Sequence, residues 1–239
     1  MKKENPAIGL DNVVVAKMLS DATGTTPPTY DTPIHIPGVV TASVNPNSSV
    51  ETDYGDNGAI FVTDNRGNME VNLEFTGMDE NTKAMILGQR KENGVVVETS
   101  QDQSSYWALG FRIWVAGTDD NGEKIYKNVW LAKGKFSVPE SGGQTKGESI
   151  DFQHVSMVAQ FVSTLFSPDG KGGIFQTSIR TDDEDAPEAL LNSWFDAPVL
   201  TTSVDKGAVT VAMAKSTAKK ITITGTKADS GTMKFAMSS

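Results

Sequence analysis

The chain of 239 residues contains no cysteine, which excludes a disulfide framework and any thiolate metal site. Its formal charge of −9 is uneven, because residues 201–239 hold six lysines and two aspartates and carry +4, which leaves −13 on residues 1–200. An acidic body argues against a groove that grips phosphate backbones, since tight binding there needs many Lys and Arg contacts. The longest apolar run near the N-terminus, residues 13–16, is too short for a signal core or a membrane span, so we expect a soluble protein.

Short alternating segments separated by Gly, Asn, Asp and Pro predict a mainly β fold. In residues 68–76 the apolar side chains Met69, Val71, Leu73 and Phe75 share one face, and Glu70, Asn72 and Glu74 share the other. A period of two places one row on a core and the other towards water. Similar runs predict strands at residues 39–44, 59–63, 106–116, 124–131, 150–161 and 174–180.

Turn residues predict how these strands are connected. Asn121-Gly122 suits the positive φ angles of a hairpin turn, so residues 106–131 are predicted as a β-hairpin. Residues 21–37 and 139–148 are rich in Gly, Pro, Ser and Thr and predict two long irregular loops. Since loops of this length are unusual inside a compact domain, we expect them to act as arms that contact other molecules.

Two short helices are predicted beside the strands. Residues 79–87 begin with Asp79, which can cap free N–H groups, and end before Gly88, which suits the left-handed position after a helix. Pro187 follows an acidic run at residues 182–185 and starts a second predicted helix, residues 187–195, which Pro198 prevents from continuing.

The reversal of charge after residue 200 predicts two parts. Residues 1–200 are predicted as one β domain, and residues 201–239 as a C-terminal extension. Within the extension, residues 209–213, 221–224 and 233–237 have β-like composition and predict a small β-hairpin appendage.

A search for catalytic or metal chemistry finds no complete motif. The two histidines, His35 and His154, have no zinc-ligand spacing around them, and His154 lies in a β-like run. The glycine-rich residues 170–173 lack the spacing of a phosphate-binding loop, and the acidic run 182–185 lacks that of a calcium loop. We therefore predict no catalytic residue, no cofactor and no metal site.

The aromatic residues of the central hairpin leave two interpretations open. Tyr106, Trp107, Phe111, Trp114, Tyr126 and Trp130 are typical of a sandwich core or a subunit interface. They are also compatible with a platform that stacks on sugars, so a β-sandwich adhesion module that recognises glycans is the alternative function. A hydrolase is a third possibility, supported only by abundant Asp and Glu.

Several short motifs follow one another in a defined order along residues 5–200. They are Ile8-Gly9-Leu10, Ile36-Pro37-Gly38-Val39, Asn65-Arg66-Gly67-Asn68, the helix at 78–88, Trp107-Ala108-Leu109-Gly110-Phe111-Arg112, and the run at 126–136. In this order they resemble the major tail protein, or tail-tube protein, of siphophages that infect Gram-positive bacteria. Residues 201–239 lie outside the resemblance.

The resemblance implies a tail-tube-type β-sandwich or barrel with one or two short flanking helices, long loop arms and a small C-terminal β appendage. Six copies would form a ring, and stacked rings would form a tube whose acidic lumen conducts DNA during ejection. Glu70, Asn72 and Glu74 are then candidates to face the lumen. The implied protein is made in the host cytoplasm and located in the virion tail. Its partners would be further copies of itself and the tail tip, terminator and tape-measure proteins, with DNA passing transiently and no membrane.

Overall fold

The computed structural model describes residues 5–140 and 154–201, together with the backbone of two further strands at Ala212–Lys215 and Ile221–Thr224. The chain forms two compact units, Met1–Leu200 and Thr201–Ser239. The predicted strand at 233–237, most of that at 209–213 and most of the connector 139–148 lie outside the described residues.

The fold is mainly β, as predicted from the sequence. The first unit contains β1 (Ala7–Ser20), β2 (Thr29–Tyr30), β3 (Ile34–His35), β4 (Val39–Gly55), β5 (Gly58–Phe75), α1 (Glu80–Leu87), β6 (Arg90–Glu92), β7 (Val95–Val97), β8 (Trp107–Thr118), β9 (Lys124–Phe136), β10 (Val155–Val162), β11 (Gln176–Arg180) and α2 (Glu188–Asn192). In the second unit β12 (Ala212–Lys215) pairs with β13 (Ile221–Thr224), which gives a small C-terminal β element.

One antiparallel sheet of nine strands organises the first unit, in the order β2-β1-β8-β9-β10-β5-β4, with β3 on β1 and β11 on β9. The predicted hairpin is confirmed, because β8 and β9 pair from Trp107↔Gly134 to Thr118↔Lys124. On its other edge β9 pairs with β11 around Val129 and with β10 from Lys133 to Phe136. The sheet therefore divides at β9 into a β1–β8–β9 half and a β10–β5–β4 half.

The main core lies between these two halves. Alternate residues of each strand point into it, which accounts for the period of two in the sequence. The largest fully buried members are Val15, Val71, Leu73, Phe75, Ile86, Trp107, Leu109, Val129, Leu131, Met157 and Phe161. Side chains from both halves and from α1 meet in this one cluster, which is the arrangement of a β-sandwich closed by a helix.

A third layer covers the outer surface of the β1–β8–β9 half. Trp194, which follows α2, packs against Trp130, Val14 and Ala108, and the indole N–H of Trp130 donates to the Trp194 carbonyl at 2.7 Å. This half of the sheet is consequently buried on both faces. The other half is buried on its inner face alone, because the outward side chains of β5 and β10 alternate regularly with buried ones.

The first helix has the predicted ends. The Asp79 carboxylate accepts the backbone N–H groups of Asn81 and Thr82 at 3.0 and 3.1 Å, and Gly88 has φ of +74° after the last turn. The second helix is shorter than predicted, Glu188–Asn192, and none of its own residues is buried. The apolar residues that follow it, among them Trp194, pack as an irregular segment.

The region predicted as one long loop at residues 21–37 is tied to the body instead. β2 and β3 both pair with β1, and the Ile36 side chain enters the main core. Strands of two residues are too short to show a period of two, so the sequence does not predict β2 and β3. This segment is not the free arm that its composition predicted.

The real arm is the hairpin formed by β4 and β5, whose strands of 17 and 18 residues run well beyond the core. We use "the arm" for residues 45–66, all exposed where their side chains are described. Asp56 and Asn57 form its tip with positive φ angles, as the tight turn of a β-hairpin requires. The sequence predicted strands at residues 39–44, 59–63 and 68–76 of this hairpin, so only residues 59–63 of the arm were predicted as strand.

Candidate functional site

The candidate lumen residues lie together on the outward surface of β5. Val71, Leu73 and Phe75 are buried, and the intervening Glu70, Asn72 and Glu74 face away from the core. Their cross-strand partners continue this surface on β4 and β10. We call it the polar face and define it as Thr41, Ser43, Asn45, Glu70, Asn72, Glu74, Ser156, Val158 and Gln160.

Hydrogen bonds connect the polar face across its strands. The Gln160 amide donates to Glu70 Oε2 at 2.9 Å, and the Asn72 amide donates to Glu70 Oε1 at 3.3 Å. Glu74 Oε1 lies 2.9 Å from His154 Nδ1, and the Thr41 hydroxyl donates to Glu74 Oε2 at 3.4 Å. All four carboxylate oxygens therefore have a side-chain partner, which the sequence pattern alone did not reveal.

Two lysines of β9 border the polar face. Lys135 pairs in register with Gln160, and its Nζ lies 4.8 Å from the centroid of the Tyr106 ring. Lys133 lies 4.7 Å from the same ring and forms a 2.7 Å ion pair with Asp21. Both ammonium groups are thus held by side chains of the same molecule.

The Asp21 carboxylate also affects a half-buried phenol. The Tyr30 hydroxyl donates to the Ala132 carbonyl at 2.9 Å. Burial, and secondarily the charge of Asp21, raises the pKa of Tyr30 above its ordinary value, so the phenol stays protonated and acts as a donor. Its role is therefore structural.

The arm carries an apolar surface on one side. Register places Val50, Thr52 and Tyr54 of β4 on the same side as Val62 and Asp64 of β5, and we call Val50, Thr52, Tyr54 and Val62 the apolar arm face. The exposed fractions are 69% for Val50, 72% for Tyr54 and 58% for Val62. The opposite side carries Glu51, Asp53, Phe61 and Thr63. The arm is therefore amphipathic, although nothing in the described chain covers its apolar side.

The apolar arm face continues the core side of the sheet. On β4, Ala42 and Val44 pack against the main core, and every second residue after them, through Pro46 and Ser48 to Val50, stays on that side in the register with β5. In the body this side is covered by the β1–β8–β9 half. Along the arm the cover ends, the register with β5 shifts between Pro46 and Ser48, and apolar residues resume at Val50.

The outer edge of β4 is also open. Among the described residues, β4 pairs with β5 alone, so one full edge of this strand has no partner strand. Unpaired edges offer backbone N–H and C=O groups to another chain. The arm thus combines an uncovered apolar side with an unpaired edge.

The residues considered for chemistry are dispersed. His35 is exposed on β3, far in sequence from His154 at the start of β10. Gly170 and Gly172 adopt positive φ angles in a turn that leads to β11, a strand where a phosphate-binding loop needs a helix. Asp182 is held by two hydrogen bonds from Arg180 at 2.9 and 3.0 Å. Within the described parts of the chain, no group of three or more His, Asp or Glu could hold a metal ion.

Two hollows on the described surface have contrasting linings. One of about 540 Å³ lies at the root of the arm, and Arg66 is the one charged residue in its lining. The other, of about 370 Å³, is lined by the β8–β9 turn and residues 181–184. There the Asp119 carboxylate accepts the N–H groups of Asn121 and Glu123, so it stabilises the turn.

Half of the aromatic residues of the central hairpin belong to the core, and cations lie over the rings of the others. Trp107, Phe111 and Trp130 are buried. The ring of Trp114 is covered by Lys124 Nζ at 4.2 Å, and the ring of Tyr126 by the Arg112 guanidinium at 4.3 Å. Arg112 also forms a bidentate pair with Asp11, whose hydrogen bond raises the arginine pKa.

No family model matches the sequence, and no curated protein matches it. In the described part of the chain, no helix has the combined length and apolar character needed to cross a membrane.

Proposed function

We propose that this chain is a structural subunit that polymerises with copies of itself, and that it serves as the major subunit of a phage tail tube. In this proposal, copies of the chain form six-membered rings, as the resemblance to siphophage tail proteins implies. The rings stack into a tube, and the tube conducts DNA. The proposal includes a location in the virion tail and no catalytic role.

The observation that carries the proposal is the arm. An exposed Val, Ile or Phe side chain loses about 1.5–3 kcal/mol of favourable burial relative to a buried one. The arm exposes several of them, including Val50, Ile60, Phe61 and Val62, and gives the main core nothing in return. A β-ribbon with an uncovered apolar side and an open edge is expected to be completed by another chain.

In this proposal the arm and the polar face have different roles. The arm would contact neighbouring copies, and the polar face, which has no cover in the described chain, would face the passage. Glu70, Asn72 and Glu74 are the proposed lining residues, with Gln160, Thr41 and His154 as their hydrogen-bonded neighbours.

The test uses two adjacent residues that face opposite sides of the arm. Val62→Glu places a charge on the apolar arm face, and Thr63→Glu places the same charge on the other side. Negative-stain imaging and light scattering of the concentrated full-length protein should reveal rings or hollow filaments for wild type and for Thr63→Glu. For Val62→Glu we expect a critical concentration at least about tenfold higher, since a lost valine burial is worth about 1.5 kcal/mol.

A wild-type protein that remains a monomer at all concentrations, alone and with its tail partners, would contradict the proposal. Equal assembly by Val62→Glu and Thr63→Glu would instead mean that the apolar arm face does not mediate assembly. The glycan-binding alternative gains no support from the aromatic residues, since their rings are either buried or covered by cations.

A further inference from the structure

The hydrogen bonds of the polar face have a consequence for what can adhere to it. A phosphate group on a passing polymer needs donors, and amide, imidazole, hydroxyl and ammonium groups are those that proteins use. On this face the donors of Asn72 and Gln160 are directed to Glu70, and those of Thr41 and His154 to Glu74.

The two bordering lysines also have contacts within the molecule. Lys133 is paired with Asp21 and lies 4.7 Å from the centroid of the Tyr106 ring, and Lys135 lies 4.8 Å from the same centroid. A phosphate that approached either lysine would have to compete with a carboxylate or an aromatic ring of the same molecule. Four donor side chains at this surface are thus held by the two glutamates, whereas Ser43, Asn45 and Ser156 lie outside these hydrogen bonds.

We propose that Glu70 and Glu74 limit adhesion of the polar face to DNA mainly by occupying the hydrogen-bond donors of Asn72, Gln160, Thr41 and His154, and only secondarily by repelling phosphates. This inference rests on the proposed function, because it takes DNA as the polymer that passes. The two glutamates are positioning residues: each holds neighbouring side chains in a fixed, satisfied arrangement.

Charge repulsion and donor occupation predict different results for variants of equal charge. Repulsion depends on the number of carboxylates and is screened by salt over about 10 Å at 0.1 M ionic strength. If donor occupation dominates, DNA binding depends on whether the amide side chains released by the substitution are still present. Glu70→Ala removes one charge and releases Asn72 and Gln160, and the triple variant Glu70→Ala/Asn72→Ala/Gln160→Ala removes the same charge together with the released donors.

The experiment measures binding of a short fluorescent DNA duplex to the full-length protein by anisotropy at low salt. Asp120→Ala, in the β8–β9 turn, is the control for loss of one charge outside the polar face. We expect Glu70→Ala to bind the duplex about tenfold more tightly than wild type, as two released donors allow. The triple variant and Asp120→Ala should return to the wild-type affinity.

Equal affinities for the single and triple variants would overturn the inference in favour of repulsion, and unchanged affinity for Glu70→Ala would overturn it as well. Glu74→Ala, compared with Glu74→Ala/Thr41→Ala/His154→Ala, repeats the test independently if one set folds poorly by circular dichroism. The binding assay uses dispersed protein, and because every variant carries the same lysine-rich residues 201–239, differences between variants report the polar face whether or not tubes form. Failure of the proposed function is read separately, from imaging of the wild type.

Discussion

At the start of α1, the Asp79 carboxylate satisfies two N–H groups that no carbonyl within the helix can reach. The hydrogen bond from the Thr82 backbone is the largest of the contacts that hold the pKa of Asp79 below its ordinary value of 3.8. The ionised form is therefore favoured by folding. Its contribution to stability is complete above the unfolded value and is lost as the pH falls through the lower, folded value.

We predict that Asp79→Ala melts at a lower temperature than wild type at neutral pH, and that the difference narrows as the pH falls below 3.8. Asp102 also has a lowered pKa, because the Thr99 hydroxyl and backbone donate to it. Since Asp102 titrates equally in both proteins, the difference between their melting curves isolates Asp79. A difference in melting temperature that stays constant down to pH 2, about two units below the ordinary pKa of Asp, would contradict this role.

Among the larger elements, β9, like β1, pairs with three strands, and its pairing with β8 shifts register near Gly134. A Cβ atom at Gly134 would lie 2.6 Å from the ring of Phe161, which is fully buried and packs edge-on against Phe136. The close approach of β9 to β10 thus requires the absence of a side chain at this point.

We predict that Gly134→Ala lowers the free energy of unfolding by about 1–3 kcal/mol, as overpacking of a core does. Gly77→Ala is the matched control, because a Cβ at Gly77 meets nothing within 4 Å. Urea denaturation followed by tryptophan fluorescence measures both. A Gly134→Ala protein as stable as the control would contradict this prediction, because β9 and β10 would then separate at this point without a cost in free energy.

Individual strands and helix ends also show which parts of the structure could be predicted from the sequence. Residues 68–76, the central hairpin and the caps of α1 carry local signals, and these were predicted correctly. The outer part of β4 contains Pro46, Asn47 and Ser48, a composition typical of loops, and it is a strand because β5 pairs with it. Pairing between distant segments leaves no trace in local periodicity.

The polar face was predictable only in part for the same reason. Alternation along β5 identified Glu70, Asn72 and Glu74 as one row. The partners Gln160 and His154 lie about 80 to 90 residues away in sequence and reach that row only through the register of β10 with β5. A single strand can reveal its own two faces, whereas a network across strands requires the sheet.

For the first unit as a whole, the arm and the body are separable in energetic terms. The core is built from the body strands and α1, and no side chain described between residues 45 and 66 is buried. Cooperative stability comes from buried contacts, so the arm adds little to the free energy of unfolding of the body. Its apolar residues instead remain exposed.

We therefore predict that replacing residues 48–66 with an Asn-Gly turn leaves a folded body whose melting temperature shifts by no more than about 4 °C. The four tryptophans all lie outside the deleted segment, so the fluorescence spectrum should be unchanged. Light scattering should at the same time find a monomer at concentrations where the full-length protein assembles. Large destabilisation would make the arm part of the cooperative fold, and persistent assembly would assign the contact between copies to a different surface, because no apolar arm face would remain to supply it.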